Sequence, residues 1–291
     1  MALAEEAEPN LRKERTEWFD RLEREHDNLR AALDYLEASG KTEPFLRMSA
    51  AVWRFWSLRG HLAEGLRRLE GALGGDLRPT GVRANALNGA ADLALDLGDA
   101  VAARARAEEA LALHRALDHV WGAAESLLLL GLALAFRSDW STAQQRFDES
   151  ARLFGDLGDE HNALSATRRL AWTHEELGDL ERAQALHEDN LRRARATHAD
   201  LIEAESLGVL AQYALNEGRI GEAVPMLTEA HRASTASTAI SRIASGMWSR
   251  SAASPAPSPW RDERRPPPGS SPARRLCSRR SASAWKRGSP G

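Results

Sequence analysis

Five times along these 291 residues a turn-forming pair separates two apolar, helix-forming runs: Gly60-His61, Gly98-Asp99, Ser138-Asp139, Gly178-Asp179 and Gly218-Arg219, at intervals of 38, 40, 40 and 40 residues. A period of that length marks one supersecondary unit used repeatedly, none of which can bury its apolar face without its neighbours. Each pair reads as the tight turn of a helical hairpin. Glycine takes the left-handed conformation that closes the first helix, and aspartate caps the second. Ser138 departs from the pattern and is expected to be slightly strained.

Small residues recur around each turn. Five residues after the turn-forming position stand Gly65, Ala103, Ala143, Ala183 and Ala223; seven before it stand Trp53, Ala91, Gly131, Ala171 and Ala211, of which Trp53 alone is large. Two helices approach closely only where no bulky side chain intervenes. Leu69, Ala107, Phe147, His187 and Leu227, each followed three residues on by Ala72, Ala110, Ser150, Asn190 or Ala230, share one face of the second helix. The pattern predicts helices over 44–59, 61–73, 81–97, 100–117, 122–137, 140–154, 160–177, 180–196, 201–217 and 220–233, with Pro225 tolerated in the first turn of the last. Helices shorter than ~12–15 residues are marginal alone in water, so stacking must supply the core. Ala, Leu, Arg and Glu dominate while aromatic residues make up only 6% of the chain, which fits an all-α class.

The arrangement resembles the tetratricopeptide repeat, with Leu130-Gly131, Asp139-Trp140, Ala143 and Phe147 as its closest copy. The family's proline at the end of the second helix is missing; segments such as LFGDLGDEHN lengthen each unit to about forty residues, as in bacterial regulators and kinesin light chains. The resemblance implies a right-handed superhelix of about five hairpins over 43–233. Residues 1–42 form a linker segment before it, in which Glu17–Ser39 reads as one amphipathic helix with Trp18, Leu22, Leu29, Ala32 and Leu36 along a stripe. LEREHDNLRAALDYL followed by FLRMSAAVWRFWSLRGHLAEGLRRLE resembles the segment joining ATPase core to repeats in LuxR-type and AfsR-like regulators, which belong to the STAND ATPases. That resemblance implies an inducer- or partner-sensing segment. No G-x-x-x-x-G-K-[ST] loop or DNA-binding module accompanies it, so the chain reads as a detached sensor.

Charge is unevenly spread. From Ser234 on, eleven Lys or Arg face two acids, and the total of −3 then leaves −12 on the helical body, which would repel nucleic acid. The segment 234–291 also holds eight of the twelve prolines and loses the repeat, so it is expected to be disordered. Its abrupt onset and Arg/Ser/Pro bias suggest a frameshifted reading of a further repeat. A charged N-terminus without an apolar core, no run of ~18 apolar residues, and a single cysteine, Cys277, point to a cytoplasmic protein without membrane contact.

Catalytic chemistry finds no support. No G-x-S-x-G elbow occurs, Cys277 lies in the tail, and the carboxylates Glu108-Glu109, Glu175-Glu176 and Asp156/Asp159 read as exposed faces or caps. His174-Glu175-Glu176 lacks the second histidine of a zinc-protease string, Gly178 standing in its place, and the nine histidines show no recurrent ligand spacing; neither metal nor cofactor is assigned. Trp53, Phe55 and Trp56 read as core of the first hairpin rather than a ligand-facing cluster.

The repeat resemblance places Arg54, Asn88, Asp92, Asp96, Leu132, Arg168, Trp172, Glu175, Gln212 and Asn216 on the concave groove formed by the first helices. Trp and Arg dominate binding energy when desolvated; the competing reading has Trp172 packed against the neighbouring repeat and Arg168 as a surface ion-pair partner. The expected function is a protein-interaction or inducer-sensing module of a transcriptional regulator, taking a protein, peptide or small inducer in the groove. The alternative is nucleic-acid binding through the basic tail, with Trp260 and Trp285 as stacking residues.

Overall fold

The computed structural model describes residues 1–13 and 15–236, with side chains as far as Ser234. Among these residues there are thirteen helices and no strand: α1 (Ala2–Arg12), α2 (Thr16–Arg24), α3 (His26–Ala38), α4 (Thr42–Arg59), α5 (Leu62–Gly75), α6 (Gly81–Asp96), α7 (Ala100–Ala116), α8 (Val120–Ala135), α9 (Trp140–Asp156), α10 (Glu160–Glu176), α11 (Leu180–Thr197), α12 (Asp200–Asn216) and α13 (Ile220–Ala236). From α4 onward they pair into five antiparallel hairpins, each packed on the next. The predicted boundaries agree within two residues, except that α13 runs to Ala236. Residues 237–291, on which most of the expected disordered tail falls, lie outside the described residues.

The turns follow from their residues. Gly60, Gly98, Gly178 and Gly218 have φ between 75° and 84°, and Ser138 is forced to φ 61°, where a Cβ crowds the following carbonyl. After three of these turns an aspartate caps the second helix: Asp99 accepts from the Ala102 N–H at 2.9 Å, Asp139 from Thr142 at 3.3 Å and Asp179 from Arg182 at 3.2 Å.

The small residues are the contact points. Ala103, Ala143, Ala183 and Ala223 are fully buried, as are Ala91, Ala171 and Ala211. A Cβ on Gly131 would stand 2.5 Å from the Phe147 ring, so Gly131 and Phe147 form a knob-and-hole within one hairpin. Trp53, the large exception, is accommodated by a glycine elsewhere: a Cβ on Gly89 would meet Trp53 Cγ at 2.6 Å. Trp53, Phe55 and Trp56 are all buried in the first core cluster.

Three expectations are corrected. The single helix over 17–39 is two, broken at Glu25 (φ −96°, ψ 7°), and its buried stripe is Phe19, Leu22, Leu29, Leu33 and Leu36, with Trp18 and Ala32 only half-buried. Another helix, α1, precedes them. Pro225 is the sixth residue of α13, inside the helix and past its first turn. On α13, Ile220, Val224 and Leu227 are exposed, so that Leu227 does not share the burial of Leu69, Ala107, Phe147 and His187.

Candidate functional site

Of the successive first helices, α4 touches α6, α6 touches α8 and α10 touches α12, though α8 and α10 do not to the same extent, and no neighbouring pair of second helices does so. The first helices therefore line the inner side of the stack. On α4 the stripe facing that side is Arg47, Ala50, Ala51 and Arg54, at i, i+3, i+4 and i+7.

Along this stripe lies α1. Its apolar residues Ala4, Ala7 and Leu11 are completely buried, and Leu3 packs against the same core. Glu5 pairs with Arg47 of α4, and at the other end the Arg12 guanidinium sits 4.6 Å from the Trp121 ring centre on α8, a cation–π contact. The fit is incomplete. A half-open pocket of about 340 Å³ lies between α1, α4 and α6, lined by Glu5, Glu8, Arg47, Val82 and Asn85 among others, and Asn85 Oδ1 is buried without a hydrogen-bond partner.

Next along the same face is a polar network spanning three hairpins. Arg54 pairs with Glu125, whose other oxygen accepts from Asn88 Nδ2 at 3.1 Å; Asn88 Oδ1 in turn accepts from Ser126 Oγ at 2.7 Å. The Arg54 guanidinium lies over Trp53 at 4.1 Å, and burial lowers its pKa from the ordinary arginine value against the pull of Glu125. Asn88 is fully buried and acts through Glu125, not on the surface. Asp92 accepts from Ser57 Oγ at 2.7 Å, and Asp96 is half-buried a turn further on.

The remaining predicted residues lie on α10 and α12, with Leu132 half-buried on α8. Arg168 Nε is 3.1 Å from Glu205, linking these two helices. Trp172 meets Trp140 edge-on at 5.0 Å between ring centres and donates from Nε1 to Glu176 at 3.2 Å. Glu175 accepts from the Tyr213 hydroxyl and lies 3.2 Å from His187 Nε2; burial and Glu175 together push the Tyr213 hydroxyl pKa up. Gln212 donates to Asn216 at 2.8 Å on the exposed end of α12. Trp172 thus touches the neighbouring, preceding hairpin, and Arg168 is ion-paired but half-buried.

Sequence reading missed α1, Glu125, Trp121 and Arg169. Arg169 is partly buried, its Nε has no hydrogen-bond partner, and burial together with the neighbouring Arg168 pulls its pKa down to about 9, opposed by Glu205, Asp92 and Asp96. Adjacent arginines in a sequence do not reveal which of them turns inward.

No family model matches this sequence, and no curated protein matches it. Solved structures do. BtubC (BKLC) from P. vanneervenii superposes with a TM-score of 0.61 at 16% identity over 75% of this chain and 92% of that one. A Rap protein complexed with Competence and Sporulation Factor gives 0.60 at 14% identity over 81% and 67%. A Signal Transduction ATPase with Numerous Domains from Pyrococcus horikoshii, which has a tetratricopeptide repeat sensor, gives 0.57 at 16% identity over 79% of this chain but 35% of its own. The fold is thus that of a tetratricopeptide-like helical repeat. Among the described residues no helix is long and apolar enough to cross a membrane.

Proposed function

We propose that this chain is a binding and sensing module whose inner surface takes a helical peptide or protein segment, in competition with its own α1. The observation that carries this reading is α1 itself, since the surface already seats an amphipathic helix through buried alanines, one ion pair and one cation–π contact. The half-open pocket beside it and the unpartnered Asn85 oxygen support this reading, since a better-fitting segment has something to gain there. Beyond α1 the surface continues past Asp92 and Asp96 to Arg169, Trp172 and Gln212. Those side chains suit a ligand carrying both an acidic and an aromatic or apolar group.

A role inside a bacterial transcriptional regulator in the cytoplasm rests on the LuxR-type resemblance of residues 22–70. The likeness to a STAND sensor domain is compatible with it, as a likeness of fold. No step of this function is chemical.

A peptide-display screen against the full chain tests the reading. The best binders are expected to bind more tightly when residues 1–13 are removed and at least about tenfold more weakly to Trp172→Ala or Arg169→Ala, the size of loss usual for a desolvated anchor. Binders indifferent to all three changes would place recognition elsewhere. Nucleic-acid binding through 234–291 is the second reading, motivated by the +9 charge of that segment. It predicts steeply salt-dependent DNA or RNA binding that disappears on deleting the segment.

A further inference from the structure

Away from the inner surface, where α2 and α3 meet the turn of the first hairpin, three ligand-bearing side chains converge. Glu23 comes from the last turn of α2, His26 is the first residue of α3, and His61 follows Gly60 in the α4–α5 turn. One ligand atom from each lies within 4.8 Å of the other two. His61 Nε2 is 3.4 and 3.5 Å from the two Glu23 oxygens, and the imidazole centres of His26 and His61 are 4.1 Å apart. A tetrahedral zinc ion with bonds of about 2.0–2.1 Å holds its donors roughly 3.3 Å apart, so the three need only small side-chain rotations to close on one ion.

The histidine at the centre packs edge-on against Phe55, 5.1 Å between ring centres. His26 is only 7% exposed, yet its Nε2, directed toward Glu64 Oε2 at 3.7 Å, makes no hydrogen bond. Glu64 is itself held by Arg30 through hydrogen bonds of 2.9 and 2.6 Å, which cancels both charges and leaves Glu64 as an outer partner rather than a donor. Burial, then His61 and Arg30, keep the His26 imidazole below its ordinary pKa. Two imidazoles and one carboxylate form a donor set suited to zinc, with a fourth position left for water.

We propose that Glu23, His26 and His61 bind one divalent zinc-class cation, which clips α2 and α3 to the turn of the first hairpin. The site is separate from the inner surface and does not depend on the groove's binding anything. A ligand that binds only the folded chain also raises its stability.

The full chain, stripped with chelator, would be titrated with Zn²⁺ alone by calorimetry and with Co²⁺ by visible absorption. One saturable Zn²⁺ site is expected, with a rise in melting temperature and a tetrahedral Co²⁺ spectrum. His61→Ala and Glu23→Gln, at the solvent side of the cluster, should keep the helical circular dichroism, bind at least about tenfold more weakly and lose the melting shift. Absence of saturable Zn²⁺ binding, or unchanged binding by both variants, would overturn the assignment.

Discussion

At the scale of single residues, the stack depends on side chains that are absent. Ala143 is completely buried at the crossing of α8 and α9, so Ala143→Arg should cost at least about 1–3 kcal/mol by overpacking; an unchanged unfolding midpoint in denaturant would refute that crossing. Ser138→Gly works the other way. It relieves a left-handed residue at φ 61° and should stabilise by about 1 kcal/mol, visible as a higher melting temperature. His114 gives a pH dependence. It is fully buried against Gly122, and burial, with His119 and Arg12 nearby, lowers its pKa from 6.5 to about 4. Between those values the unfolded chain holds a proton that the folded one does not, so stability falls as pH drops from 6.5 to 4. The difference in stability between His114→Gln and the parent should change across that window and be flat above pH 7.

At the scale of elements, what the sequence discloses depends on whether the signal is local. The forty-residue recurrence, the small contact residues and the Gly-Asp turns are local, and helices α4 to α13 follow from them. The break at Glu25 is not: Phe19 and Leu22 bury one face of α2 and Leu29, Leu33 and Leu36 one face of α3, and a single straight stripe cannot serve both directions. Helix α1 was illegible because Ala4, Ala7 and Leu11 are a thin stripe among charges, with Pro9 inside, and acquire meaning only when α4 is beside them. Arg169 and Glu125 were missed for a similar reason, as their partners come from other hairpins. Glu23 and His26 stand three residues apart in sequence, but His61 joins them only through folding. Of the predicted groove residues, Arg54, Asp92 and Trp172 have partners of their own, and Asn88 is fully buried.

At the scale of the whole molecule, inner and outer sides are built differently. Between successive second helices run ion pairs such as Arg106–Glu70 at 2.6 Å, Arg115–Glu149 at 2.6 Å and Arg195–Glu229 at 2.7 Å, each joining residues 34 to 36 apart. Being exposed or only half-buried, each is worth about 1 kcal/mol or less, and together they set register more than stability. The first helices instead carry a buried network and, beside the covering helix α1, a half-open pocket, the features on which the proposed exchange of occupants rests. Amide hydrogen exchange on the intact chain tests this most directly, because an isolated eleven-residue helix is too short to protect its own amides. Protected amides are expected in the last two turns of α1, with faster exchange there in Trp121→Ala while α4 and α6 remain protected. Exchange of α1 at the unprotected rate in the parent chain would contradict it.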